Sequence, residues 1–135
     1  MPRINRRRFL QTSVAAAAAF SSVPQIAKAK DPNGKLGVAI VGVRGRGGDH
    51  IGGFLGDKRT VILYLIDPDE KVGLSRCEQV AKKQGIKPKF VRDMREAFQD
   101  PAVDLVGSAT PNHWHALSAI WAMQAGKDVY VEKPA

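Results

Sequence analysis

A glycine-rich turn follows the first apolar segment of the chain and could bind a phosphate group. Gly42 and Gly47 occupy the first and sixth positions of the pattern G-x-G-x-x-G, while Arg44 occupies the position of its middle glycine. In such a turn the first glycine permits a tight bend, and the last lets the following helix pack closely on the strand. Amides at the N-terminus of that helix can bind a pyrophosphate. The turn therefore predicts a dinucleotide site, provided that Arg44 points aside or that Gly45 next to it relieves the crowding.

A carboxylate follows the second apolar segment. Asp67 comes 25 residues after Gly42, directly after residues 60–66. A carboxylate at this point can accept hydrogen bonds from the hydroxyls of the adenosine ribose, and it repels a 2′-phosphate. The pattern therefore favours NAD as the cofactor, while the positive charges of Arg44 and Arg46 leave NADP possible.

The segment 44–48, Arg-Gly-Arg-Gly-Gly, has two other interpretations. It could be a flexible surface turn, or a fragment of an arginine–glycine segment that binds RNA. RNA-binding segments of that kind are disordered, whereas this one occurs once, between an apolar segment and a helical one. Five of the 21 basic residues fall within residues 1–29, which contain no acidic residue, so residues 30–135 carry only +3 of the net charge of +8. We therefore expect no nucleic-acid partner.

Four apolar segments rich in Val and Ile provide the strands that would hold these residues. They are residues 35–43, 60–66, 103–109 and 128–131, with a weaker candidate at 88–91. Such runs are typical of strands buried on both faces of a parallel sheet. Helical patterns separate them at residues 69–84, 93–99 and 112–125. This alternation predicts an α/β fold, a doubly wound parallel sheet of the Rossmann type with strand order 3-2-1-4-5.

Residues 109–134 read ATPNHWHALSAIWAMQAGKDVYVEKP and carry a specific resemblance. They resemble the glucose–fructose oxidoreductase / inositol dehydrogenase / rhizopine catabolism family (Gfo/Idh/MocA), whose members have Thr-Pro-x-x-x-His after the fourth strand and Ala-Gly-Lys-x-Val-x-x-Glu-Lys-Pro at the fifth. Every fixed residue of both patterns is present: Thr110, Pro111, His115, Ala125, Gly126, Lys127, Val129, Glu132, Lys133 and Pro134. The resemblance runs from about Lys35 to Ala135. It implies an NAD(P)-dependent oxidoreductase that transfers a hydride to or from a sugar, cyclitol or related polyol.

The resemblance also implies roles for individual residues. Lys133 would lie beside the nicotinamide and the substrate hydroxyl as the catalytic residue, where it would hydrogen-bond or help polarise the reacting oxygen. Glu132 would hold the ribose or the carboxamide of the cofactor, and His115 matches a family position near the cofactor. Ligands of open α/β sheets bind at the carboxyl ends of the strands, where several of these residues fall. The residues predicted to contact the cofactor are Gly42, Arg44, Gly45, Arg46, Gly47, Asp67, Thr110, Pro111, Asn112, His115, Glu132 and Lys133.

The histidines and the cysteine do not predict a metal site. His113 and His115 are two residues apart on a predicted helix and point to roughly opposite sides, so they cannot bind one ion together. His50 and Cys77 stand alone elsewhere in the sequence, and a single cysteine excludes an intramolecular disulfide. Trp114, Leu117 and Trp121 recur at helical spacing and are predicted to pack in the core or between subunits.

Residues 1–29 have the three regions of an export signal. Arg6 and Arg7 precede Phe-Leu, an alanine-rich stretch follows, and Ala27-Lys28-Ala29 provides a cleavage site after Ala29. Paired arginines before Phe-Leu resemble the twin-arginine type of signal. A disordered basic tail or a short amphipathic helix is the alternative. We expect export to a bacterial periplasm by the twin-arginine machinery, with residues 30–135 as the NAD(P)-binding domain.

Members of the family continue beyond the Glu-Lys-Pro motif with a second domain that forms most of the substrate pocket. The sequence ends at Ala135. We therefore expect a fragment truncated before the C-terminal domain, inactive and marginally stable in isolation, and a homo-oligomeric full-length protein. Two alternatives stay open: an NAD-dependent glycosidase of the same fold, and a non-catalytic dinucleotide-binding fragment.

Overall fold

The computed structural model describes residues 34–133. The predicted leader and its paired arginines, together with Pro134 and Ala135, lie outside these residues. The elements are β1 (Leu36–Val41), α1 (Gly45–Gly56), β2 (Thr60–Ile66), α2 (Glu70–Gln84), β3 (Lys89–Val91), α3 (Met94–Phe98), β4 (Leu105–Ser108), α4 (Asn112–Gln124) and β5 (Asp128–Val131). None of the helices in this part of the chain is long and apolar enough to span a membrane.

The five strands form one parallel sheet in the order β3-β2-β1-β4-β5, as predicted. In the register of this sheet, Val41 at the end of β1 pairs with Ile66 of β2 on one side and with Ser108 of β4 on the other. The three strands therefore end side by side. Whatever follows them in sequence, including Asp67 and Thr110, meets the glycine turn at the same edge of the sheet.

The central strands β1 and β4 are largely buried on both faces, because helices cover each face and alternate side chains of a strand point to opposite sides. Val38 and Ile40 of β1 belong to one apolar cluster, which also receives residues of α1 and α2. Ala39 and Val41 belong to a second cluster, which receives residues of α3 and α4. The apolar runs of the sequence thus serve two cores, which explains why they lack a polar alternation.

Helix α1 is unusual in composition. Its twelve residues, GRGGDHIGGFLG, include six glycines. Glycine in a helix interior costs about 1 kcal/mol relative to alanine, so the intrinsic helix propensity of this segment is poor. Ile51 is buried, and Phe54 and Leu55 pack against the cluster on that face of the sheet. Tertiary packing therefore holds α1 in place.

The ends of several elements differ from the predicted ones for local reasons. Strand β1 stops at Val41 because Gly42 adopts a positive φ of 79°. Strand β4 begins at Leu105, since the amide of Val103 closes a turn on the carbonyl of Asp100. Helix α2 begins one residue after the predicted start, because Asp69 is its N-cap and accepts hydrogen bonds from two backbone amides.

Lys127 belongs to the Ala-Gly-Lys motif and connects the segment before β5 to the loop before β4 by hydrogen bonds. Its Nζ donates hydrogen bonds to the carbonyl oxygens of Asp100, at 2.7 Å, and Val103, at 2.8 Å. Burial lowers the pKa of this ammonium group because it disfavours the charged form. The side chain therefore has a structural role and helps to place β5 beside β4.

Candidate functional site

The glycine turn between β1 and α1 leaves no room for side chains at two positions. A Cβ atom on Gly47 would lie 1.8 Å from the carbonyl oxygen of Gly42, and one on Gly42 would lie 2.8 Å from the carbonyl oxygen of Ala109. The amide of Gly42 also donates to the carbonyl of Ile66, at 2.8 Å. The turn is thus packed against the ends of both neighbouring strands. No side chain caps the N-terminus of α1. The amide of Gly47 donates to the carbonyl of Arg44, at 2.7 Å, which leaves the amides of Gly45 and Arg46 to bind an anion.

Arg44, at the middle position of the glycine pattern, turns its side chain away from the turn. Its guanidinium group forms an ion pair with Asp69, the residue that caps α2. Both side chains are largely exposed. The arginine therefore does not fill the turn, and the crowding that a side chain at this position could cause does not arise.

Asp67 ties the end of β2 to the glycine turn. Its Oδ2 accepts a hydrogen bond from the amide of Val43, at 3.1 Å, and its Oδ1 accepts one from the amide of Asp69, at 2.9 Å. The residue is only 6% exposed. Each carboxylate oxygen can accept more than one hydrogen bond, so Asp67 keeps capacity for a ligand hydroxyl.

A cavity of about 870 Å³ opens at the carboxyl ends of β1, β2 and β4. Its volume lies in the range of ligand pockets. Five of the predicted site residues line it: Gly42, Arg44, Asp67, Thr110 and Pro111. Met94 of α3 and two tryptophans of α4, Trp114 and Trp121, provide apolar surface on its wall.

The residues that recur at this spacing on α4 have different environments, and packing between subunits stays a prediction. Trp114 is 38% exposed and Leu117 is exposed as well, so neither belongs to the core. Trp121 is partly buried and packs against the cluster on the α3 and α4 face of the sheet. A spacing of three and four residues identifies one side of a helix, but it does not say whether that side meets a core or a cavity.

Asn112 and His115 follow the lining residues Thr110 and Pro111 in sequence, but neither of them lines the cavity. His115 is 2% exposed, and its Nε2 donates a hydrogen bond to the carbonyl oxygen of Thr110, at 2.7 Å. It thereby fixes the turn after β4 from within. Asn112 is the first residue of α4 and is exposed, after Pro111 at the N-cap. A contact of either side chain with a cofactor stays a prediction.

A second group of site residues meets where β5 ends. Oε1 of Glu132 accepts hydrogen bonds from Nε of Arg46, at 2.9 Å, and from Nε2 of His50, at 2.8 Å. These bonds, with His50 making the larger contribution, hold the pKa of the Glu132 carboxyl below its ordinary value. Arg46 also pairs with Asp49, and both acidic partners raise the pKa of its guanidinium group. The glycine turn and the end of β5 are therefore joined by charged side chains.

Lys133 follows this group and is exposed. Within residues 34–133 its ammonium group has no hydrogen-bond or ion-pair partner. Sequence reasoning missed His50, although Arg46 and His50 are four residues apart and so share one side of α1. No group of three or more His, Cys, Asp or Glu side chains in the described part of the chain is arranged to hold a metal ion.

The chain matches the family Gfo/Idh/MocA, described as an oxidoreductase family with an NAD-binding Rossmann fold, over residues 36–135. A glycosyl hydrolase family 109 protein of Shewanella pealeana is 30% identical over an alignment 155 residues long, which covers 98% of this chain and 34% of that protein. The scyllo-inositol 2-dehydrogenase (NAD(+)) of Bacillus subtilis is 42% identical over 59 residues, covering 44% of this chain and 17% of the enzyme.

A solved structure has the same fold as this chain. The crystal structure of GenD2, from gentamicin A biosynthesis, in complex with NAD superposes with a TM-score of 0.65 and 35% identity, covering 75% of this chain and 27% of that one. The chain spans about a third or less of the length of the curated relatives that it matches. Its sheet order, its glycine turn and the family match over residues 36–135 agree. The chain therefore belongs to the Gfo/Idh/MocA oxidoreductase family and contains the NAD-binding Rossmann domain of that family.

Proposed function

We propose that this chain is the cofactor-binding part of an exported NAD-dependent oxidoreductase that acts on a sugar, a cyclitol or a related polyol. The observation that carries the proposal is the position of the glycine turn. It meets Asp67 and the cavity at one edge of the sheet, beside the strand end that carries Lys133. For the full-length protein we propose a homo-oligomer.

The geometry of the turn fits a dinucleotide. The Gly42 and Gly47 positions exclude side chains, which lets α1 begin close to the strand with uncapped amides. These amides would bind the pyrophosphate, because the N-terminus of a helix carries a partial positive charge. Asp67 would accept hydrogen bonds from ribose hydroxyls, and the cavity would take the nucleoside. The bound nicotinamide cofactor would supply the acceptor or donor of the hydride.

The end of β5 would serve the reacting groups. Oε1 of Glu132 is engaged by Arg46 and His50, while Oε2 accepts no hydrogen bond from residues 34–133. Oε2 is therefore available to a hydroxyl or amide donor of the cofactor. Lys133 would hydrogen-bond the substrate oxygen. In the oxidation direction its amine would accept the hydroxyl proton as the hydride leaves the carbon for the nicotinamide, and in the reduction direction its ammonium group would donate a proton to the oxygen as the hydride reaches the carbon.

The charges around the cavity support NAD over NADP. Asp67 lines the cavity. The three arginines that line it are each paired with an acidic partner: Arg44 with Asp69, Arg92 with Glu70 and Arg95 with Asp93. A 2′-phosphate would meet the Asp67 carboxylate and would have to displace an ion pair to reach a guanidinium group.

A glycosidase is the second candidate. The family 109 glycosyl hydrolase of Shewanella pealeana aligns with 98% of this chain, whereas the scyllo-inositol dehydrogenase aligns with 44% of it. An NAD-dependent glycosidase of this fold begins with the same hydride transfer, so both candidates need the cofactor site described above. The full-length protein tests them: as a dehydrogenase it should reduce NAD with a polyol, and as a glycosidase it should release the aglycone of a glycoside with no net NAD consumption.

Export rests on residues 1–29. A fusion of residues 1–34 to a reporter protein should reach the periplasm through the twin-arginine machinery. Replacing Arg6 and Arg7 together by lysine should retain the reporter in the cytoplasm, and Arg3→Lys, outside the pair, is the matched control. Equal export of the paired variant and the control would refute this part of the proposal.

Titration of the 135-residue chain with NAD tests the cofactor site. Trp114 and Trp121 line the cavity, so binding should change the intrinsic fluorescence. We expect saturable binding of NAD and weaker binding of NADP. We also expect no substrate-dependent reduction of NAD by this chain alone. Absence of NAD binding by the folded chain would refute the proposed function.

A further inference from the structure

His50 has no assigned role, although it connects α1 to the end of β5. It is 7% exposed and lies on the side of α1 that faces the sheet. Its ring packs on that of Tyr130 in β5, with 5.1 Å between the ring centroids. Its Nε2 lies 2.8 Å from Oε1 of Glu132. The carboxylate can only accept, so the hydrogen of this bond belongs to Nε2.

Among the described residues, Glu132 is the hydrogen-bond partner of the His50 ring, because the other ring nitrogen has none. Nδ1 is buried and has no hydrogen-bond partner within the described residues. It faces Gly107 of β4, where a Cβ atom would lie 3.4 Å from Nδ1 and 3.2 Å from the ring of Phe54. Gly107 thus lies beside the imidazole, and a Cβ atom there would be in van der Waals contact with Nδ1. A buried ring with one unsatisfied nitrogen is retained at a cost, which indicates that its other nitrogen has a specific task.

The residue that His50 contacts is anchored twice. The backbone amide of Glu132 donates to the carbonyl of Ser108 in β4, at 3.1 Å, and the side chain of Glu132 is bound to α1 through His50 and Arg46. Arg46 is exposed and shared with Asp49, whereas His50 is enclosed between the helix and the sheet. Of the two donors, His50 is therefore the rigid one.

We propose that His50 is a positioning residue. By donating from Nε2 to Oε1 it fixes the Glu132 carboxylate beside the glycine turn and leaves Oε2 free for the cofactor. It also holds in place the residue that precedes Lys133. The titratable groups in contact with the imidazole are Glu132 at the end of β5 and Tyr130 within β5, and Arg46 of α1 shares Oε1 of Glu132 with it. The contribution to cofactor binding rests on the proposed function, while the positioning of Glu132 does not.

Three substitutions separate the hydrogen bond from the packing of the ring. His50→Gln keeps an N–H donor near the position of Nε2. His50→Asn keeps an amide but places it near Nδ1, out of reach of Glu132, and is the matched control. His50→Leu removes the donor and keeps an apolar side chain of comparable size. Circular dichroism and thermal melting of each 135-residue variant establish that it is folded before either of the two measurements below is made.

The first readout needs no cofactor. The titration of the Glu132 carboxyl is followed by ¹³C NMR, with Glu132→Gln identifying its signal. In the wild type the pKa of Glu132 should lie below its ordinary value, since His50 and Arg46 bind the ionised form. It should stay low in His50→Gln and rise toward the ordinary value in His50→Asn and His50→Leu. If the pKa of Glu132 is the same in His50→Asn as in His50→Gln, the positioning role is overturned.

The second readout is the affinity for NAD. Glu132→Ala should weaken binding about tenfold, the effect of losing one hydrogen bond to a charged group. His50→Leu and His50→Asn should weaken it roughly threefold to tenfold, and His50→Gln by less than about twofold. Combining His50→Leu with Glu132→Ala should add less than about twofold to Glu132→Ala alone, because both changes remove the same contact. Full additivity would contradict the proposal.

The two readouts also distinguish the failures. A folded wild type that binds no NAD refutes the proposed function, and the Glu132 titration then still decides whether His50 positions the carboxylate. A wild type that binds NAD, with Glu132→Ala weakened and His50→Leu unchanged, overturns the positioning role and leaves the proposed function standing.

Discussion

Replacement of Gly47 by alanine tests the central feature of the site, the close contact of α1 with the glycine turn. The added methyl group would lie 1.8 Å from the carbonyl oxygen of Gly42. A carbon atom and a carbonyl oxygen that are not bonded approach each other to about 3.3 Å at the closest. The start of α1 and the turn must therefore move apart by more than an ångström. The opposing atom belongs to the backbone, which cannot rotate aside as a side chain can.

The size of the effect follows from a comparison within the same helix. Gly52 lies in α1 as well, and a Cβ atom there would meet nothing within 4 Å. Gly52→Ala should therefore stabilise the chain by about 0.5–1 kcal/mol, the ordinary difference between the two residues in a helix. Gly47→Ala gains the same propensity but adds overpacking, so we expect a net loss of about 1–3 kcal/mol in the free energy of unfolding.

Urea unfolding of both variants and of the wild type measures these free energies, and titration with NAD measures the effect on the site. We expect Gly52→Ala to bind NAD as the wild type does, because it lies away from the turn. Gly47→Ala should bind at least about tenfold more weakly, since the amides that would bind the pyrophosphate are displaced. If Gly47→Ala proves as stable as Gly52→Ala and binds NAD equally well, the turn is not packed as described and the reasoning fails.

Three further substitutions test other contacts. Asp67→Asn should weaken NAD binding about tenfold and reduce the preference for NAD over NADP, since it removes the charge that repels a 2′-phosphate; titration with both cofactors measures this, and an unchanged preference would count against the role of Asp67. Arg44→Gly should leave NAD affinity within about twofold of the wild type, because the guanidinium group already lies against Asp69; a large loss would show instead that Arg44 binds the phosphates. Glu132→Gln should make the free energy of unfolding depend less on pH in the acid range. The pKa of Glu132 is lowered in the folded chain, so its carboxylate contributes stability that is present above the ordinary pKa of 4.5 and is lost as the pH falls through the lower, folded-state pKa. Urea midpoints between neutral and acid pH measure this, and parallel curves for variant and wild type would exclude a contribution from Glu132.

The sheet could be predicted from the sequence because its signals are local. The run TVILYLI in β2 is apolar on both faces, and Gly85 ends α2 with a positive φ of 78° that favours glycine. The family resemblance added the strand ends that hold Glu132 and Lys133. Each of these inferences needs only residues that are close in sequence.

The parts that sequence reasoning missed depend on residues that are far apart. The contact between His50 and Glu132 joins residues 82 positions apart, and the ring lies beside Gly107 of a third element. The direction of the Arg44 side chain depends on Asp69, which is 25 residues away. The position of Trp114 on a cavity wall depends on where α3 lies. None of these pairings has a signature in the sequence near either residue.

The six glycines of α1 have a consequence for how the domain responds to a ligand. A helix with so little stability of its own is expected to open locally at a low free energy, set by the few apolar side chains that pack on the sheet. An anion at the N-terminus of α1 binds only the folded helix, so it shifts the equilibrium between folded and locally open α1 toward the folded helix. Amide hydrogen exchange in α1 should therefore be fast in the free chain and slow when NAD is present, with little change in the central strands. The glycine content of α1 thus makes the occupancy of the site measurable as protection of this one helix from hydrogen exchange.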